Sequence, residues 1–103
     1  MILAGEVMSK SIAVLGSHTS GHNGYPSTIV VEGTTKLTIN GKPAALVGSH
    51  CKPHSKPKGG THTPVIVSGA SRVKVNGIEV AIVSSKTDCG DTIVDGDNLV
   101  QIA

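Results

Sequence analysis

Ile39-Asn40-Gly41-Lys42-Pro43-Ala44-Ala45-Leu46-Val47-Gly48 reads as a strand end, a tight Asn-Gly turn, a Pro-Ala-Ala run and a second apolar strand closing on glycine. Asn-Gly is the strongest short hairpin signal, because the favoured two-residue turn needs positive φ at both central positions. Thirty-six residues on, Val75-Asn76-Gly77-Ile78-Glu79-Val80-Ala81-Ile82-Val83-Ser84 is a degenerate copy. A third, incomplete copy opens the chain, where Ser11-Ile12-Ala13-Val14-Leu15-Gly16 reads like Pro43 to Gly48.

Outward from these copies the chain divides into three units, about residues 11–41, 42–77 and 78–103, within one domain. Each unit reads strand, loop, strand, turn, strand. Ser11–Gly16, Ala44–Val47 and Val80–Val83 are the first strands. Thr28–Val31, Pro64–Val67 and Thr92–Val94 are β-branched second strands ended by glycine-containing pairs. Lys36–Ile39 and Arg72–Val75 alternate polar and apolar residues ahead of Asn-Gly, and Asn98–Ile102 closes the chain where a hairpin partner would sit. No helical periodicity extends beyond one turn. One such unit cannot bury its own apolar face, so the three copies must share a core. The expected fold is all-β and pseudo-threefold. Ile2, Leu3, Val7 and Met8 carry no pattern beyond being apolar enough to pack on something.

A chain of 103 residues without Trp or Phe, and with Tyr25 as its one aromatic, must build its core from Val, Ile, Leu and Ala. Such a small core needs a staple: a metal, a disulfide or a partner. The net charge of +2 is too small to point to nucleic acid, and the cluster Lys52, Lys56 and Lys58 lacks the aromatic platforms that single-strand binding uses. No run approaches the roughly 20 apolar residues of a transmembrane helix. Residues 1–8 lack a basic region and a long apolar segment, so no signal peptide is expected and synthesis in the cytoplasm is.

All five histidines and both cysteines are expected in loops, none in a strand. His22, His62 and Cys89 each come shortly before a second strand, and threefold symmetry would bring those positions together at one end of the molecule. His50, Cys51 and His54, from the longest loop, compete for a fourth place. Four such donors make a closed tetrahedral zinc site, structural rather than catalytic, and iron accepts the same ligands. His18, without a counterpart in the other loops, reads as a solvated side chain. Cytoplasmic synthesis argues against a Cys51–Cys89 disulfide. No Gly-x-Ser-x-Gly elbow, phosphate loop or repeat-equivalent pair of carboxylates is present, so the chain is not read as an enzyme. A Cys–His nucleophile pair would have only Asp88 or Asp91 to orient it.

Lys42-Pro43-Ala44-Ala45-Leu46-Val47-Gly48 resembles the Pro-Ala-Ala-Arg motif that names the PAAR-repeat family, with Leu46 where the arginine would be. Residues 35–41 are similar to the strand and turn before that motif, and 84–94 to the family's closing loop and strand. The resemblance covers about residues 11–102. It implies a small cone with a metal at its apex, capping a homotrimeric β-helical spike of a type VI secretion system or a contractile phage tail. His22, His62 and Cys89 fall by similarity on the apex positions. Cys51-Lys52-Pro53-His54 resembles the family's Cys-Pro-x-His loop, which favours His54 and then Cys51 as fourth ligand, with residues 55–61 an insertion. The implied life of the protein is in a phage tail tip, or in the bacterial cytoplasm before export, with the target membrane met at the tip. The competing reading is a small zinc module that binds protein or nucleic acid.

Overall fold

The computed structural model describes residues 10–102, so the expectation for residues 1–8 lies outside the described residues. The described residues form eight strands, in the order β1 (Lys10–Ile12), β2 (Thr34–Ile39), β3 (Lys42–Ala44), β4 (His54–Lys56), β5 (Gly60–His62), β6 (Ala70–Val75), β7 (Ile78–Val80) and β8 (Asp97–Ile102). The described residues hold no helix. The fold is all-β, as the sequence leads one to expect.

Three long antiparallel pairs repeat one register. In β2–β3, Ile39 faces Lys42, Thr38 faces Pro43, and after a bulge Thr34 faces Ala44. In β6–β7 the partners are Val75 with Ile78, Lys74 with Glu79 and Ala70 with Val80. In the third pair, Ile102 faces Lys10, Gln101 faces Ser11 and Asp97 faces Ile12. The C-terminal strand thus takes the N-terminal strand as its hairpin partner, and the circle closes. Both Asn-Gly turns have the positive φ their sequence demands: 53° and 77° at Asn40 and Gly41, 53° and 81° at Asn76 and Gly77.

At the centre a ring of main-chain bonds joins the copies. Ala13 N–H donates to Ala81 O (3.0 Å), Ala81 N–H to Ala45 O (2.8 Å) and Ala45 N–H to Ala13 O (2.9 Å). Three backbones meeting this closely leave no room for a large side chain, and all three alanines are fully buried. The second alanine of Pro-Ala-Ala therefore has a steric cause. Around the ring, Val14, Leu46 and Ile82 N–H donate to the hydroxyls of Ser17, Ser49 and Ser85.

Among the described residues, two apolar clusters fill the interior. One, beside the long hairpins, holds Ile12, Val14, Ile39, Ala44, Ala70, Val80 and Ile102. The other holds the ring alanines with Val30, Cys51, Ile66 and Ile93. Each fully buried Val or Ile contributes about 1.5–3 kcal/mol, so the core works through number rather than size.

Much of the strand structure expected around residues 28–31, 44–47, 64–67, 80–83 and 92–94 exists only as isolated bridges, among them Val30 with Cys51, Leu46 with Val80 and Ile66 with Thr87. The cause lies in the symmetry. Each run passes between two other segments: Val30 N–H donates to Ser17 O, Val31 N–H to His50 O, and Ile29 O accepts from Lys52 N–H. Consecutive residues bond to different neighbours, so no ladder forms. Conversely, residues 54–62, expected to be loop, form the hairpin β4–β5.

Candidate metal centre

The hairpin corrects the placing of every histidine in a loop. His54 starts β4, His62 ends β5, and they face each other across the ladder. The residues between them let the chain reverse, with positive φ at Lys58 (65°) and Gly60 (73°). What reads as an insertion is the device that sets two imidazoles side by side.

His22 sits in a tight turn, where His22 and Tyr25 exchange main-chain bonds of 3.1 and 2.7 Å. Gly21 is required there, since its φ is 76° and a Cβ would lie 2.6 Å from Tyr25 O. Cys89 lies in a second tight loop, closed by Thr87 N–H to Asp91 O (2.9 Å) and by Asp91 N–H to Thr87 Oγ1 (3.0 Å). Thr87 Oγ1 also stands 3.6 Å from Cys89 Sγ.

His22, His54, His62 and Cys89 converge, with one donor atom from each lying within 4.8 Å of all the others. A tetrahedral ion with bonds of about 2.0 Å to nitrogen and 2.3 Å to sulfur would separate those two donors by about 3.6 Å. His54 Nε2 is 3.9 Å from Cys89 Sγ. The other ring nitrogens are arranged to match. His54 Nδ1 bonds Pro26 O at 2.8 Å, and His22 Nδ1 bonds the Asp91 carboxylate, which leaves each Nε2 free. His62 Nδ1 is buried with no hydrogen-bond partner among the described residues, an orphan that a cation would satisfy. The donor set fits a metal ion.

The alternatives for the fourth place lie elsewhere. Cys51 is fully buried in the second apolar cluster. Burial, with smaller contributions from Asp91, Cys89 and Asp88, pushes its thiol up to about 11. His50 is half-exposed and turned to Glu32, with Nδ1 2.6 Å from its carboxylate. That contact and the His50 N–H hold the Glu32 carboxyl below its usual range. Both cysteines are free thiols.

His18 is not without counterparts. Its N–H donates to Asp95, as that of His50 does to Glu32 and that of Lys86 does to Ser68 Oγ. The signal was in the sequence: Gly16-Ser17-His18 matches Gly48-Ser49-His50. His18 still lies at the exposed flank, where its ring meets Asp95 at 2.7 Å.

Two residues of the site were missed. Tyr25, noted in the sequence only as the lone aromatic, stacks on His62 with ring centres 4.0 Å apart, and its hydroxyl bonds Gly59 O. Lys56 Nζ lies 4.9 Å from its ring centre. Asp91, weighed in the sequence only as partner to a nucleophile, is wholly buried beside His22.

A family model described as PAAR motif matches residues 20–95. No curated protein matches the chain.

Proposed function

The chain belongs to the PAAR-motif family, and on that premise we propose that it is a structural spike tip, one copy capping a homotrimeric β-helical spike of a contractile injection machine. The observation that carries this reading is the closed ring of Ala13, Ala45 and Ala81, which gives a single chain the threefold axis that a trimer's blunt end presents. The long-hairpin end is the docking face, supported by the exposed Ile78, Leu99 and Val100 on its strands. Main-chain pairing at strand edges and apolar contact would join the two.

The opposite end is the point. There His22, His54, His62 and Cys89 hold a zinc ion, with iron as the other metal this donor set accepts. Four protein ligands leave no open position, so the ion ties three segments of chain together and does no chemistry on a substrate. The tied apex meets the target membrane when the spike is driven forward. The setting is a phage tail tip, or the bacterial cytoplasm before export.

Mass measurement of the purified chain with a homotrimeric β-helical spike protein tests the reading. One chain per three partner chains is expected. A one-to-one complex, or none, would overturn it.

A further inference from the structure

We propose that Asp91 is a positioning residue of the apex group, orienting His22 and supplying the negative charge that makes the site neutral around a divalent cation. This rests on the metal reading above.

The symmetry of the chain provides an internal control. Thr87 N–H donates to Asp91 O, as Thr19 N–H does to Thr28 O and Cys51 N–H to Pro64 O. The fold therefore asks only for a main-chain carbonyl at this position. Thr28 and Pro64 meet that need without charge, and both are buried. A carboxylate in the third copy needs a separate cause.

Its surroundings supply one. Asp91 is completely buried. One carboxylate oxygen accepts from His22 Nδ1. The other is buried, with no hydrogen-bond partner among the described residues, 4.0 Å from His54 Nδ1. Among the described residues, its ion-pair contacts are with these two histidines and not with a lysine or arginine. Lys56 is engaged by Asn23 O and the Tyr25 ring, and Lys86 by Thr92 Oγ1. A buried carboxylate left uncompensated costs several kcal/mol. The compensation must come from inside the apex.

Charge balance then constrains the ion. Three neutral imidazoles contribute nothing, and a metal-bound Cys89 thiolate contributes one negative charge. With Asp91 the group carries two, which a divalent cation cancels. A monovalent ion would leave a buried negative charge, and a trivalent ion a positive one. The bond from His22 Nδ1–H to the carboxylate also fixes the tautomer that presents Nε2 and makes it a better donor.

The test uses the full chain loaded with Zn²⁺, in wild type and Asp91→Asn. Asparagine keeps an oxygen for His22, removes the charge and puts an NH2 group where the second oxygen stood. Three quantities are read: the rate of Zn²⁺ release to a chromophoric chelator, the preference for Zn²⁺ over Cu⁺ in competition, and the ligand-field spectrum of the Co²⁺-substituted protein. Faster release is expected, in keeping with the about 10–100-fold loss of metal affinity that removing an outer partner of a ligand usually brings. A shift of preference toward the monovalent ion should accompany it. The Co²⁺-substituted protein should show an altered ligand-field spectrum.

Wild-type release rate and preference in Asp91→Asn would overturn the proposal. Faster release with unchanged preference would overturn the charge assignment. If Asp91→Asn does not fold, Asp91→Thr puts the Thr28 residue type at the equivalent place and takes the same measurements. A wild-type chain that holds no metal would instead sink the metal reading itself, a separate outcome.

Discussion

Replacing Ser84 by glycine should stabilise the protein. Ser84 occupies the position that Gly16 and Gly48 hold in the other two copies: their N–H groups donate to Ile93 O, Val30 O and Ile66 O respectively. All three have positive φ, 89° at Ser84 against 93° and 98° at the glycines. A Cβ at Gly16 or Gly48 would meet nothing within 4 Å, so the cost at Ser84 is conformational and not a clash. Left-handed backbone costs an L-residue about 1–2 kcal/mol. Glycine gives back about 0.5–1 kcal/mol through the greater freedom of the unfolded chain. The net gain for Ser84→Gly is about 1 kcal/mol, or a rise in Tm of about 4–8 °C for a domain near this size. Calorimetric melts with the metal load held equal would read it. Ser84→Ala, which keeps the Cβ, should melt near wild type, and Gly48→Ser should lose what Ser84→Gly gains. A Ser84→Gly protein that melts at or below wild type would refute the argument that the copies share one backbone requirement here.

Cys89→Ser should destabilise far more than His18→Ala. The first forfeits metal-derived folding energy, on the order of 10 kcal/mol in small zinc domains, while the second breaks an exposed pair with Asp95 worth about 0–1 kcal/mol. Chelator should lower the melting temperature of His18→Ala and leave Cys89→Ser nearly unchanged; equal melting temperatures for the two variants would place the site elsewhere. The complex with the spike trimer should keep its mass from low to high salt, because screening weakens exposed charge pairs and not apolar contact. Dissociation in salt would favour a charged binding module over a spike tip.

The sequence carried the symmetry in its turns. Asn40-Gly41 and Asn76-Gly77 pin two hairpins through local backbone preference, so those elements could be read directly. The register of β8 on β1 follows from the same pattern once Ser11 is matched to Pro43. The runs around Val30, Ile66 and Ile93 have strand composition, yet their partners change at every residue, and composition cannot report that. Hairpin β4–β5 escaped because its residues are polar and lysine-rich; its register shows only when His54 faces His62. Of the four converging donors, His22, His62 and Cys89 were visible as donor types before equivalent strands, while His54 was one of three candidates in the long loop and stood out only through the resemblance of Cys51-Lys52-Pro53-His54 to the family's loop. Asp91 was not visible, because its meaning depends on His22, which lies 69 residues away.

Native mass spectrometry of the chain, purified without added metal, reads the occupancy of the four-donor group itself. One divalent ion per chain is expected, held by the converging His22, His54, His62 and Cys89 and removed by chelator with a large fall in melting temperature. A metal-free chain, fully folded and melting at the same temperature with or without chelator, would contradict it.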